Sequence, residues 1–499
     1  MISSRIFISS VILIAGVLWV PLPAASVTPL GELAVRLLAL ASLVTAAASW
    51  PKHGMSRSAM VATAMLLSLA LLGVVQSIPW PAPLARLASP EHFRLATQAA
   101  GVVDADSTIE VERVFLSLAP EKSRSVALSV FCTAAVFLAA LSAGRRRRRW
   151  LALSVVAAGL LQLLLGARAF ASGSVPRLRG TFVNPDHLAV LLELSLSVCF
   201  VWAIWAMRRQ RGDLAAAPLE TRLALVSAPV LAWLFLFVGL AFTGSRAGLA
   251  AALAGASVQA AMVSRAVAST SRRGRQSQRT RLSWLPIPML VVALTLVGVI
   301  GFQAGFGRFL ATSRYEVIAA ERFRVWDASL DLVGPFAFLG SGIGSFRETF
   351  EQVQPADLTL TWTRAHNDYL ELLLTTGYLG LALAAVGLVA LMRGLWRGLA
   401  VGSRTEDRLA SLAGWGVVVS LGLHEGFDFG ATLPATSFIA AVVLGAALSP
   451  PEGEGPKAVR DARLRQHSGE DRPGRELPVH RRECAARERR PRVPQGGRD

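Results

Sequence analysis

Arginine, histidine and short polar clusters recur at the ends of apolar stretches throughout this chain. Arg177 and Arg179 lead into Gly180-Thr181-Phe182-Val183-Asn184-Pro185-Asp186-His187, and Arg246 closes the turn Thr243-Gly244-Ser245-Arg246. Arg322 and Arg324 lie in a long connection, and Arg364 stands just before His366-Asn367-Asp368-Tyr369. His424, Glu425 and Asp428 follow a later apolar stretch. A guanidinium keeps its charge and grips phosphate through two parallel hydrogen bonds, so convergent arginines suggest a phosphate or pyrophosphate ligand. The competing reading is snorkelling at a membrane interface or pairing with nearby carboxylates. It weighs least on Arg246, whose turn is too short to snorkel and whose Gly244 and Gly248 allow close backbone approach. His366 is the best candidate for proton transfer, because a neutral imidazole takes a proton from a hydroxyl at physiological pH. A hydrogen-bonded helix cap is its other reading, although Asn367 and Asp368 suit a helix N-terminus equally well. His187 and His424 read first as structural.

These groups need elements to hold them, and the composition indicates membrane helices. Of 499 residues, 53% are hydrophobic, and the mean hydropathy is +0.48. The apolar residues come in blocks of roughly 18–25, the length a helix needs to cross about 30 Å of hydrocarbon. About 12 helices are expected, at 7–25, 30–49, 59–78, 125–143, 150–169, 187–207, 222–242, 247–263, 284–302, 368–392, 408–424 and 432–448. The first, with Arg5 ahead of it and Ala24-Ala25-Ser26 near its end, is read as an uncleaved anchor rather than a signal peptide.

The net charge of +18 resembles that of a nucleic-acid binder, but its distribution does not. With the N-terminus in the cytoplasm, every dense basic cluster falls on the cytoplasmic side: Lys52 and Arg57, Arg145 to Arg149, Arg208 to Arg211, Arg272 to Arg281, and Arg393 to Arg404. That is the positive-inside pattern, and it sets both termini in the cytoplasm and the polar clusters above on the periplasmic face. Residues 1–448 are expected to form the membrane domain. Residues 449–499, rich in Arg, Glu, Pro and Gly, read as a disordered basic tail.

The periplasmic connections 79–124 and 303–367 are long and amphipathic. In the second, Ala319, Phe323, Trp326, Leu330 and Val333 recur at helical spacing and predict a helix on the membrane surface or capping the bundle. A helical wheel puts Arg322 about 60° from the centre of that face, looking inward, and Arg324 about 140° away, toward water. The run Gly340-Ser341-Gly342-Ile343-Gly344-Ser345-Phe346 is a weak phosphate-loop signal and reads better as a turn. The cysteines Cys132, Cys199 and Cys484 have neither disulfide nor zinc spacing. The histidines offer no metal motif, so neither metal nor cofactor is expected.

Taken together, these residues resemble the O-antigen ligase and polymerase superfamily of bacterial membrane glycosyltransferases. The matching elements are Arg-Gly-Thr-Phe-Val-Asn-Pro-Asp-His at 179–187, Gly-Ser-Arg-Ala-Gly at 244–248, Arg322 with Trp326, the Gly340–Phe346 run, Ala-His-Asn-Asp-Tyr-Leu at 365–370, and His424 with Asp428-Phe429 and Pro434. Their order and the large loop before the tenth helix match too, so the resemblance covers about residues 5–448. It implies an all-α polytopic fold, a GT-C-like helical bundle, and a metal-independent inverting glycosyltransferase of the inner membrane. The donor would be an undecaprenyl-pyrophosphate-linked glycan and the acceptor a hydroxyl, as on a lipid A–core sugar. By position, Arg246 and Arg322 would hold the pyrophosphate and His366 would activate the acceptor. Arg179, Asn184, Arg324, Arg364 and His424 form a second tier of substrate-binding candidates. Pro185 stands where many relatives carry a second asparagine, which puts a ligand role for Asn184 in question, although Pro suits a first helical turn. A polysaccharide polymerase and a protein O-oligosaccharyltransferase share these motifs. A lipid-linked glycan transporter is the alternative from another class, but the polar residues gather at helix ends rather than at the midplane.

Overall fold

In the computed structural model the described residues are 2–47, 54–103, 111–211, 217–271, 314–400 and 403–449, and they lie in one compact unit, Met1–Glu452. The first helices are α1 (Ile2–Trp19), α2 (Pro29–Ala47) and α3 (Arg57–Gln76). The connection after α3 contains α4 (Ala82–Ala88) and α5 (Pro90–Val103). There follow α6 (Pro120–Ser142), α7 (Arg145–Ala171), α8 (Pro185–Arg211), α9 (Leu219–Thr243) and α10 (Arg246–Ser271). Next come α11 (Arg314–Leu330) and the short α12 (Phe346–Phe350). The last three are α13 (Asp368–Gly398), α14 (Thr405–His424) and α15 (Pro434–Leu448).

Eight of these helices are long and apolar enough to cross a membrane, and α1 and α15 carry shorter apolar stretches. The chain is a helical, multi-pass membrane protein. Each expected apolar segment except 284–302 coincides with one of the helices. That segment, the arginines at 272–281 and the tail from 450 lie outside the described residues. The fold is mostly helical, with one short addition: strands β1 (Pro79–Pro81) and β2 (Arg113–Phe115) pair antiparallel, with Trp80 opposite Val114. Prolines at both ends of β1 and only three residues per strand hide this ladder from any alternation pattern.

Helix α8 is the hub. Of its apolar window 89% is buried, against 28% for α2, and it packs on α7, α9, α10 and α14. A helix apolar on nearly every side, with small residues on several faces, suits such a position. Helices α10 and α14 run antiparallel against each other. Ser420 Oγ donates to Ala251 O at 3.2 Å and Gln259 Nε2 to Leu412 O at 3.0 Å. Continued along both helices, that register brings the start of α10 to the end of α14.

The two long connections pack on each other and on α13. Lys122 pairs with Glu348 at 2.6 Å, and Leu118 N donates to Ser341 O at 2.9 Å. Val325, Phe336, Phe346, Phe350, Trp362 and Leu374 form a small core of their own. Buried His92 of α5 accepts or donates at both ring nitrogens, toward Ser89 Oγ at 2.7 Å and Ser341 O at 3.4 Å. Burial pushes this imidazole down to about 4. The unfolded chain therefore binds more protons between about 4 and 6.5, and stability falls as pH drops through that window. The wild type is expected to lose about 2 kcal/mol at pH 5 relative to pH 7.5 through this residue. Melting temperatures in detergent should fall less steeply with acidification in His92→Gln.

Gly377 breaks α13 with φ 64 and ψ −170, a combination open almost only to glycine. The break frees backbone groups that the glycine run takes up: Ser341 N donates to Leu374 O and Gly342 N to Thr375 O. A β-carbon at Gly377 would stand 2.3 Å from Phe338 O. Gly377→Ala is expected to cost more than about 3 kcal/mol, read as a lowered melting temperature or loss of accumulated protein.

Candidate functional site

The N-termini of α8, α10, α13 and α15 and the C-terminus of α14 converge at one end of the bundle, where the sequence clusters meet. Asn367 caps α13, its Oδ1 accepting from Tyr369 N and Leu370 N at 3.1 Å each. With the cap filled by Asn367, His366 is released from that role. Its backbone is left-handed at φ 51, which costs a residue with a β-carbon about 1–2 kcal/mol. Such strain persists where surrounding contacts impose it, often at functional positions.

His366 Nδ1 lies 3.0 Å from Asp428 Oδ1 in the connection between α14 and α15. The Asp428 side chain is 2% exposed, and that of His366 21%. Burial alone would raise the Asp428 carboxyl. The hydrogen bond from His366 and the charges of His187, His366 and Arg322 outweigh it and hold the group at about 2. An ionised carboxylate only accepts, so Nδ1 carries the hydrogen, and in the neutral form of the ring the lone pair is on Nε2. The Phe429 ring fixes the surroundings. It meets His366 edge-on at 4.9 Å, His187 at 4.7 Å, and the Arg364 guanidinium at 5.4 Å.

Arg322 and Trp326, one helical turn apart on α11, bind the backbone beside the two members of this pair. Arg322 Nη1 donates to Phe427 O at 2.9 Å, and Trp326 Nε1 donates to Ala365 O at 2.8 Å. Arg322 therefore faces inward, and its Nε is buried with no hydrogen-bond partner among the described residues. Arg324 faces out and pairs with Asp357 at 2.5 Å. The apolar face of α11 departs from expectation: Phe323 and Leu330 are 61% and 56% exposed, while Val325 and Ser329 are buried. The two polar anchors turn the helix so that the Arg322–Val325–Ser329 side meets the protein. Ala319 lies among residues whose side chains are not described.

Arg246 is exposed at the first position of α10. Ser245 caps that helix through Gly248 N at 3.2 Å, and Gly244, left-handed at φ 67, ends α9. A helix N-terminus carrying an arginine favours an anion on two counts. The remaining second-tier residues are differently employed. Asn184 Oδ1 accepts from Asp186 N at 2.9 Å and starts α8, with Pro185 in its first turn. Arg179 is exposed and reaches Val183 O at 3.4 Å, while Arg177 ties Asp186 to Thr243 O, both at 2.5 Å. Arg364 is paired with Glu371 at 2.6 Å. His424 is fully buried and bonded to equally buried Glu193 of α8 at 2.6 Å, which removes it from any substrate surface.

The glycine run is a built turn, with Gly340, Gly342 and Gly344 all at positive φ. Its amides at Gly340, Ser341, Gly342, Ile343 and Ser345 donate within the protein, so few remain for a phosphate. Sequence reasoning assigned no role to Glu193, Glu371, Asp428 or Phe429 at the site. Asp428 stood within a recognised polar cluster and, with Phe429, in the closing motif of the family resemblance, and neither gave it a role. No group of three or more His, Cys, Asp or Glu able to hold a metal occurs among the described residues.

Residues 230–385 match the family model described as O-Antigen ligase. That stretch contains Arg246, Arg322 and His366 and ends before Asp428. No curated protein matches the chain. The resemblance to the O-antigen ligase superfamily thus holds on the segment that carries the three principal site candidates.

Proposed function

We propose that this chain, with its O-antigen ligase domain at 230–385, moves a glycan from undecaprenyl pyrophosphate to an acceptor hydroxyl. The acceptor class is a lipid A–core sugar, and the reaction face is the periplasmic side of a bacterial inner membrane with both termini in the cytoplasm. The observation that carries this reading is the His366–Asp428 pair at 3.0 Å, set beside inward-facing Arg322. Asp428 fixes the ring so that Nε2 takes the proton of the acceptor hydroxyl. The acceptor oxygen then bonds to the anomeric carbon as the bond from that carbon to the pyrophosphate oxygen breaks, inverting the centre. Negative charge gathering on the departing undecaprenyl pyrophosphate is met by Arg322 and Arg246. These guanidinium groups take the part a metal ion would otherwise play, so the reading is of a metal-independent transferase.

The test is a transfer assay with purified protein in detergent, an undecaprenyl-pyrophosphate glycan, a lipid A–core acceptor and EDTA. Product on the lipid A–core supports the ligase reading. Lengthened lipid-linked glycan in its place would make the protein a polymerase, and product only on an added protein hydroxyl acceptor would make it an O-oligosaccharyltransferase. No transfer to any of the three overturns the enzyme reading and favours a lipid-linked glycan transporter.

A further inference from the structure

The peptide leading into His366 is gripped from two sides, by Glu371 of the adjoining helix α13 and by Trp326 of α11, 39 residues back in the sequence. Ala365 is fully buried. Its N–H donates to Glu371 Oε2 at 3.0 Å, and its carbonyl accepts from Trp326 Nε1 at 2.8 Å. The other Glu371 oxygen accepts from Arg364 at 2.6 Å. A carboxylate that only accepts and an indole that only donates are the matching partners for an N–H and a carbonyl. Beyond this grip, Asn367 is fastened in its turn to the first turn of α13. His366 is thereby held between two anchored neighbours, left-handed at φ 51, with its ring aimed at Asp428.

We propose that Trp326 and Glu371 are positioning residues for His366, acting through the Ala365 backbone to set the geometry of the His366–Asp428 pair. Neither side chain needs to touch substrate. Arg364 belongs to the same device, its charge directed to Glu371 rather than to a phosphate. This inference rests on the proposed role of His366 as the base.

Trp326→Phe tests it, because phenylalanine keeps a ring against Phe323 and Phe427, now 5.0 Å and 6.3 Å from the indole, and removes the donor. Glu371→Gln is the second variant, keeping an acceptor for Ala365 N–H while dropping the charge that holds Arg364. Steady-state transfer from an undecaprenyl-pyrophosphate glycan is measured in detergent for each, alone and combined with His366→Asn. The expected result is a kcat lowered about 10- to 100-fold with the donor KM within about twofold, and less than a twofold further loss in the His366→Asn background. A raised KM with kcat intact, or an equal further loss in that background, overturns the inference, as does wild-type kcat in both variants. Should Trp326→Phe not accumulate, Glu371→Gln reads the same outcomes. Wild-type activity in His366→Asn alone brings down the base assignment and this inference with it. Inactive His366→Asn beside fully active Trp326→Phe and Glu371→Gln brings down this inference only.

Discussion

A His366→Asn variant accumulates at the wild-type level and transfers glycan about 10²–10⁴-fold more slowly, the usual worth of a positioned general base. Asparagine is the informative replacement because His366 sits at φ 51, where Asn is among the few residues with a β-carbon that settle readily. Alanine would add backbone strain to the loss of the base and blur the result. His366→Gly also relieves the strain and opens space beside Phe429, so added imidazole should restore part of the lost rate in that variant. Asp428→Asn is expected to slow transfer about 100-fold or more, since its amide can donate to Nδ1 and hold the ring in the tautomer whose Nε2 is blocked. Because Asp428 is held at about 2, it is ionised throughout any practical assay range. Its stabilising contribution is full above the ordinary carboxyl value of 3.8 and is lost only as pH falls toward 2. Transfer kinetics with melting temperatures check all three variants, and wild-type rates in His366→Asn would falsify the assignment of the base.

The membrane helices were legible because each needs a long apolar block, and such blocks stand out against any loop. That Arg322 and Arg324 occupy different sides of α11 was legible as well, since two positions along a helix differ by about 200°. What joins the site was not. His366 and Asp428 are 62 residues apart, and His424 and Glu193 are 231 apart. Their meeting depends on how the start of α13 meets the end of α14, where Asp368 N donates to Glu425 O at 2.9 Å, and on the close approach of α8, α10 and α14 to one another. Gly248 permits that approach, since a β-carbon there would stand 2.9 Å from Ala189 Cβ. Such registers are set by packing of many small contacts, none of which has a local signature. The glycine run shows the opposite limit. Its positive φ values were foreseeable from composition, whereas the break at Gly377 that receives its amides lies in an apolar stretch interrupted only by Thr375-Thr376-Gly377. The face of α11 was misjudged because hydrophobic periodicity ignores polar anchors, and Arg322 and Trp326 both bind carbonyls that sequence cannot place.

The arginines separate by their partners, and kinetics should separate them in the same order. Arg322→Ala and Arg246→Ala are each expected to lower kcat/KM for the donor about 10²–10³-fold, the scale of one preorganised donor lost from a developing anion. Arg322→Lys should recover little of this, because a lysine offers a point charge where a planar fork of donors is in place. Arg324 is ion-paired with Asp357 on the outer side of α11, and its side chain is 48% exposed; an exposed pair of that kind contributes about 0–1 kcal/mol. Arg324→Ala should therefore leave kcat/KM within about threefold of wild type. Arg364→Ala belongs to a third class, lowering kcat with the donor KM unchanged, because its guanidinium is held by Glu371 at 2.6 Å. Measured on one donor preparation at one ionic strength, the contrast between Arg322 and Arg324 is decisive, since the two share a helix and differ in the face they occupy and in the partners they meet there. Equal losses from both would mean that general positive charge, rather than a convergent pyrophosphate site, attracts the donor. A steep fall in donor affinity with salt in the wild type, matched in Arg322→Ala, would point the same way.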